Sequence, residues 1–144
     1  MMKITDGKIF LSWEDIEKQV DNLIKQINKL KRKPFYIYGV PRGGSIPAVW
    51  LSHKTGINYY QLNSSQISKI ADLSHILIID DICDSGETIK NLREDFPKCQ
   101  IATLYYKETA IDKPDIYGQS IGEEWLVFPW EADETIGTRD NTYG

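Results

Sequence analysis

The chain has 144 residues, 26% of them charged and 41% hydrophobic, enough for one domain with a core of its own. Seventeen Lys and Arg against 21 Asp and Glu leave a net charge of −4, the wrong sign for a general nucleic-acid surface. No apolar run reaches the roughly 18 residues of a membrane span, and Cys83 and Cys99 alone make neither a disulfide framework nor a metal set. The opening Met1-Met2-Lys3-Ile4-Thr5-Asp6-Gly7 lacks the apolar core of a signal peptide. The expectation is a cytoplasmic protein with no nucleic-acid and no membrane partner.

Ser12-Trp13-Glu14-Asp15 reads as a helix start, with Ser12 as N-cap and Asp15 three residues on. Ile16, Val20, Leu23, Ile24, Ile27 and Leu30 follow at the spacing of one helix face. Lys29, Lys31, Arg32 and Lys33 close that helix as a solvated basic end. Phe35-Tyr36-Ile37-Tyr38-Gly39-Val40 is an aromatic and β-branched run, hence a strand, broken by Pro41-Arg42-Gly43-Gly44. A second helix is predicted over 45–54 and ended by Gly56, and a weaker strand over 57–62. Ile76-Leu77-Ile78-Ile79 is continuous and apolar, the mark of a strand buried on both faces. A third helix is predicted over 85–95, and further strands over 101–106 and 125–128. Strands alternating with helices predict an α/β domain built on a parallel sheet. The tail, 132–144, is polar and without period.

The buried strand leads into Asp80-Asp81-Ile82-Cys83-Asp84-Ser85-Gly86-Glu87-Thr88. In open α/β sheets ligands bind at the carboxyl ends of strands. Backbone amides at a helix start, with hydroxyls among them, form a phosphate cradle, and Gly86 lets the backbone come close. Carboxylates beside a phosphate make sense when a sugar or Mg²⁺ lies between them. Read singly, Asp84 or Ser85 is a helix cap and Asp80-Asp81 a solvated pair. Cys83 occupies an apolar position and reads as a small core residue.

The whole pattern resembles the phosphoribosyl pyrophosphate (PRPP) signature of type I phosphoribosyltransferases: four apolar residues, two acids, two apolar residues, then Asp-(Ser/Thr)-Gly-x-Thr. The resemblance implies that Asp80 and Asp81 hold the ribose hydroxyls, directly or through Mg²⁺. It implies that Asp84, Ser85, Gly86, Glu87 and Thr88 bind the 5′-phosphate. Asp84 also matches the carboxylate beside N7 of the purine, the group that manages that proton while N9 attacks C1′. Pro41, Arg42, Gly43 and Gly44 resemble the pyrophosphate loop, where backbone amides and the Arg42 guanidinium meet the leaving diphosphate. The resemblance further implies that the peptide bond between Pro41 and Arg42 is cis, or becomes cis with diphosphate bound.

Tyr105-Tyr106-Lys107 and Trp125-Leu126-Val127-Phe128-Pro129-Trp130-Glu131 are similar to the bacterial xanthine-guanine phosphoribosyltransferases, and so is the early Ser12-Trp13-Glu14. That likeness implies Lys107 at O6 of the base, Trp125 stacked on the purine, and the backbone around Leu126 reading N1 and the 2-substituent. It implies Glu131 beside the pyrophosphate-side Mg²⁺, where the subfamily usually has Asp. The family's long closing loop with its Ser-Tyr pair is reduced here to 63–75, with Ser64, Ser65 and Ser68 but no tyrosine. His53 and His75 have no companion ligands in the sequence and read as ordinary polar residues.

The resemblance implies one phosphoribosyltransferase domain over 1–144, with a small hood drawn from the N-terminal segment and about 107–144. It implies a Mg²⁺-dependent transfer of 5-phosphoribosyl from PRPP to N9 of guanine, xanthine or hypoxanthine by a homo-dimer or homo-tetramer. The alternative is a non-catalytic module on the same fold that senses PRPP or a nucleotide. A phosphatase using Asp80 fits less well, because its acids alternate as Asp-x-Asp.

Overall fold

A strand of Ile76, Leu77, Ile78 and Ile79 must be covered on both faces, since neither face offers water a polar side chain. The computed structural model describes residues 3–60 and 73–131, and in it all four residues are at most 1% exposed. The chain runs β1 (Lys3–Thr5), β2 (Lys8–Phe10), α1 (Trp13–Lys29), β3 (Tyr36–Gly39), α2 (Ser45–Thr55) and β4 (Asn58–Tyr59). It continues through β5 (Ile76–Cys83), α3 (Glu87–Asp95), β6 (Gln100–Lys107), β7 (Ile116–Ile121) and β8 (Trp125–Val127). A five-stranded sheet, wholly parallel, has the order β4-β3-β5-β6-β7.

Alternation along β5 sorts the core into two layers. Leu77 and Ile79 join Ile37, Ala102 and Leu104 under α1 and α2, which supply Ile16, Val20, Leu23, Ile27, Ala48 and Leu51. Ile76 and Ile78 face the other way, with Ile101, against Ile89 and Leu92 of α3. The faces then change over at the acids, because Ile82 belongs to the first layer and Cys83 to the second. The paired register with β6 passes over Asp81 and Leu104 at the same level.

The helices start and stop where side-chain chemistry directs. Ser12 Oγ accepts from the Asp15 N–H at 3.1 Å while Asp15 Oδ2 accepts from the Ser12 N–H at 2.8 Å, a complete capping box. Ile24 and Leu30 pack half-buried beside the four buried apolar residues of α1. Lys33 Nζ donates to the Ile27 and Asn28 carbonyls, so this member of the basic cluster serves the helix end, while Arg32 Nε donates to the Ser74 carbonyl. Gly56 ends α2 at φ 77 and donates to the Ser52 carbonyl.

Several boundaries and one sheet assignment differ from the sequence reading. β5 does not stop before the acids but carries Asp80 and Asp81 within it, since its pairing with β6 continues to Cys83. α3 begins two residues later than predicted, because Ser85 and Gly86 form the turn into it. β4 is shorter than 57–62, with 61–62 outside the described residues. The 125–128 strand belongs to a separate three-stranded sheet of order β1-β2-β8, in which β2 and β8 run parallel. Asp6 and Gly7, both at positive φ, make the β1–β2 hairpin turn.

β7 was not predicted at all. Gly118-Gln119-Ser120 reads as loop, but α1 supplies what that stretch lacks. Gln26 Nε2 donates to the Tyr117 carbonyl at 2.6 Å, Asn22 Nδ2 to the Gly118 carbonyl at 3.4 Å, and Gln19 Nε2 to Gln119 Oε1 at 2.9 Å. The edge strand is thus covered by a ladder of amides. Among the described residues no helix is long and apolar enough to cross a membrane.

Ser12→Ala removes one half of the capping box and leaves the apolar stripe of α1 untouched. The expected loss is about 1 kcal/mol of stability. In a domain of this size that is a fall of about 3 °C in Tm, read by calorimetry.

Candidate active site

The strand order reverses between β3 and β5: the chain leaves β3 toward β4 on one side, then crosses back to β5 on the other. A crevice opens at the carboxyl ends of such a pair. The two segments singled out in the sequence emerge there, 40–44 after β3 and 84–88 after β5.

The first loop is drawn tight against the second strand. Val40 N–H donates to the Ile79 carbonyl and Gly44 N–H to the Val40 carbonyl, both at 2.8 Å. A Cβ on Gly44 would stand 2.2 Å from the Ile79 carbonyl oxygen and 2.9 Å from Asp80 Cα. A Cβ on Gly43 would stand 2.4 Å from Asp81 Oδ2. The Gly-Gly pair is what brings this loop onto the acids. The Pro41–Arg42 peptide bond is cis, as the resemblance implied. Arg42 is exposed.

Asp80 and Asp81 are 6% and 8% exposed. Asp80 Oδ1 accepts from the Asp81 N–H and Asp81 Oδ1 from the Ile82 N–H, each at 2.8 Å, so both carboxylates bend back onto their own strand. Cys83 is buried, and its Sγ donates to the Asp112 carbonyl at 3.2 Å. Burial, reinforced by the nearby carboxylates of Asp112, Asp80 and Asp84, pushes its thiol up to about 12. That leaves no thiolate at neutral pH and agrees with the reading of Cys83 as a core residue.

The second loop forms the cradle. Gly86 caps α3 at φ 91 without a side chain, so the first-turn amides beyond that of Glu87 have no side-chain cap. Ser85 Oγ accepts from the Glu87 N–H at 3.2 Å. Behind the turn, the Ile111 N–H donates to the Ser85 carbonyl at 2.8 Å.

Asp84 and Lys107 had separate roles in the sequence reading, and the fold joins them. Lys107 ends β6, 9% exposed, with its Nζ 2.9 Å from Asp84 Oδ1. A donor-only cation and an acceptor-only anion thus stand side by side at the mouth of the crevice.

Trp125, Leu126 and Glu131 stand on or beside the other sheet. Trp125 is half-buried at the start of β8, while Leu126 is buried and pairs with Ile9 of β2. Glu131 Oε1 accepts from the Phe128 N–H at 2.8 Å and closes the 128–131 turn. Nearby aromatics that the sequence left unassigned form a chain: Phe128 stacks on Trp130 at 5.1 Å, Trp130 meets Trp13 at 5.9 Å, and Trp13 meets Trp50 at 6.2 Å. His75 stacks on Phe35 at 4.2 Å, an ordinary packing role. Among the described residues no three His, Cys, Asp or Glu side chains converge as a metal set. Of the 63–75 interval, residues 63–72 lie outside the described residues.

No family model matches the chain. Xanthine-guanine phosphoribosyltransferase of Idiomarina loihiensis is 28% identical over 88% of this chain and 89% of that protein. The crystal structure of a xanthine-guanine-hypoxanthine phosphoribosyltransferase from Helicobacter pylori aligns with a TM-score of 0.69 at 28% identity, over 88% of this chain and 95% of that one. A purine phosphoribosyltransferase from Pyrococcus horikoshii aligns with a TM-score of 0.70 at 31% identity, again over 88% and 95%. Doubly wound sheets recur in unrelated proteins, but identity at that level, carried through nearly the whole Pyrococcus chain, does not. By descent as well as by fold, this chain belongs to the type I purine phosphoribosyltransferases, close to the bacterial xanthine-guanine enzymes.

Proposed function

We propose that the chain transfers the 5-phosphoribosyl group of PRPP to N9 of a 6-oxopurine, guanine, xanthine or hypoxanthine, giving the nucleoside 5′-monophosphate and diphosphate. The observation that carries the choice of base is the Lys107–Asp84 pair at 2.9 Å. A 6-oxopurine protonated at N7 presents an acceptor, O6, beside a donor, N7–H. Lys107 donates to the first and Asp84 accepts from the second. Adenine turns an amino donor toward the ammonium and is refused.

In this reading N9 attacks C1′ as the bond from C1′ to the diphosphate oxygen breaks, and the N7 proton passes to the Asp84 carboxylate. The amides and hydroxyls of Ser85, Gly86, Glu87 and Thr88 hold the 5′-phosphate. Arg42, with the backbone of Gly43 and Gly44, meets the charge that gathers on the diphosphate. Trp125 stacks on the base and the backbone at Leu126 reads its far edge. Asp80 and Asp81 face the ribose hydroxyls. Two buried carboxylates against a glycine loop suit a hard cation that takes its remaining oxygens from substrate phosphates. Asp80 and Asp81, with Glu131 as the acid on the pyrophosphate side, would hold Mg²⁺, which would supply positive charge to the diphosphate. A homo-dimer or homo-tetramer, which rests on the family resemblance, completes the proposal, with a reducing cytoplasm as its place, which rests on the two free cysteines. The sensing module is its alternative, and no feature of the described residues favours it.

Diphosphate release is expected with guanine, xanthine or hypoxanthine and not with adenine. A wild type silent with all four bases would favour the sensor. Lys107→Ala is expected to raise KM for the oxopurines roughly 10- to 100-fold, the loss of one charged hydrogen bond of about 1.5–3 kcal/mol. PRPP affinity by calorimetry should hold, and an equal loss there would move Lys107 to the phosphates or the fold. Asp84→Asn keeps the shape of the turn and removes the base. Turnover should fall roughly 10²- to 10⁴-fold with a much smaller change in PRPP affinity, and undiminished turnover would remove Asp84 from the proton transfer.

A further inference from the structure

The cradle is not held by its own helix alone. Three successive points stitch 83–86 to the connection between β6 and β7. Cys83 Sγ donates to the Asp112 carbonyl at 3.2 Å, and the Ile111 N–H donates to the Ser85 carbonyl at 2.8 Å. Gly86 lies so close that a Cβ there would stand 2.6 Å from the Asp112 nitrogen and 2.9 Å from that of Ile111. The connection forms the outer wall of the turn that the proposed function gives to the 5′-phosphate.

Burial fixes only part of the connection, in which Pro114 is buried and Ala110 packs against the second core layer. It contains no helix, and Ile111 is 63% exposed. Beside Lys113, whose Nζ lies over the rings of Tyr106 and Tyr117, the exposed part is gripped by Arg93, two turns along α3. Its Nε lies 3.5 Å from Asp112 Oδ1 and its Nη1 3.3 Å from Asp115 Oδ2, while Nη2 donates to the Lys113 carbonyl. Asp115 is anchored in turn to the sheet, accepting from the Ile101 N–H at 2.7 Å. A planar guanidinium spans these partners with one rigid fork, which an ammonium cannot do. α3 therefore acts at two places: its first-turn amides face the phosphate, and its Arg93 grips the strap that shapes those amides.

We propose that Arg93 is a positioning residue for the 5′-phosphate of PRPP, acting through the 108–115 connection and never touching the substrate. The proposal rests on the reading of 84–88 as the phosphate cradle. A loosened strap spreads Ser85 and Gly86 over more conformations, and PRPP must then reorder them on binding. That cost falls equally on the bound ground state and the transition state, so KM for PRPP rises while kcat holds.

Steady-state kinetics on the full chain test this. Arg93→Ala is expected to raise KM for PRPP about tenfold, as for one lost charge-assisted contact at a partly exposed site, with kcat and the oxopurine KM within about twofold. Arg93→Lys should recover part of the loss. Asp112→Asn, which leaves α3 intact, should give a rise of about threefold. Thr88→Val tests the cradle independently and should also raise KM for PRPP. If Thr88→Val raises it and Arg93→Ala does not, the strap is overturned and the cradle stands. If neither does, the cradle reading fails and the strap with it. A loss of Tm with kcat lowered and both KM values unchanged would make Arg93 merely structural. Should Arg93→Ala not fold, wild-type KM for PRPP in both Arg93→Lys and Asp112→Asn overturns the proposal.

Discussion

The carboxyl end of the sheet depends on one steric fact: Gly44 has no Cβ. With any other residue there, the atom would lie inside the contact radius of the Ile79 carbonyl oxygen, which accepts from the Val40 N–H. That oxygen is backbone in the buried middle strand and has nowhere to go. The loop after β3 therefore lies on β5 only as glycine, and only there do Gly43 and Asp81 Oδ2 meet. The switch point of the strand order makes the crevice, and Gly44 makes it narrow enough for the proposed diphosphate and ribose groups to share it.

Charge in that crevice is arranged for function more than for stability. Lys107 is nearly buried and its partner Asp84 about a third exposed, so bringing the pair together costs desolvation on the lysine side. Asp80 and Asp81 are buried too, and each spends a carboxylate oxygen on a neighbouring backbone N–H. The same stretch of β5 is where the faces of the strand change over. A chain selected only for stability would have continued the Ile76–Ile79 run with apolar residues. Its interruption by acids inside the strand is the local conflict with the global pattern that marks a functional site.

The sequence was readable where a local rule fixes the outcome. The capping box of α1, the Gly56 stop of α2 and the two-sided burial of 76–79 each follow from neighbours in the chain, and all three are found. β7 was not readable, because its polar middle is stabilised by Gln19, Asn22 and Gln26 on a helix about a hundred residues away. The β1–β2 hairpin was signalled by Asp6-Gly7 and went unpredicted, although that dipeptide favours the turn it makes. Residue types at the site were legible, but their partnerships were not. Nothing in the spacing of Asp84 and Lys107 says that they pair, and nothing in Arg93 says that it reaches 112–115.

In the proposed reading, two sheets divide the work of recognition. The five-stranded sheet carries every group proposed for PRPP except Glu131, together with the Lys107–Asp84 pair, on strands whose ends are fixed by parallel pairing. The three-stranded sheet carries Trp125 and Leu126, and it is built by pairing the beginning of the chain with its later part, β2 with β8. Its attachment is apolar: Ile9, Leu11, Leu126 and Phe128 join the same core cluster as α1. Substitutions in that small sheet can then alter the stacking and far-edge contacts of a base without disturbing the phosphate turns, whose hydrogen bonds lie wholly on the other sheet. In the proposed reading Lys107 and Asp84 read the O6 and N7 edge of the base on the same sheet as the phosphoribosyl group, while stacking and the far edge rest on a separate set of backbone hydrogen bonds, where variation does not reach the phosphate turns.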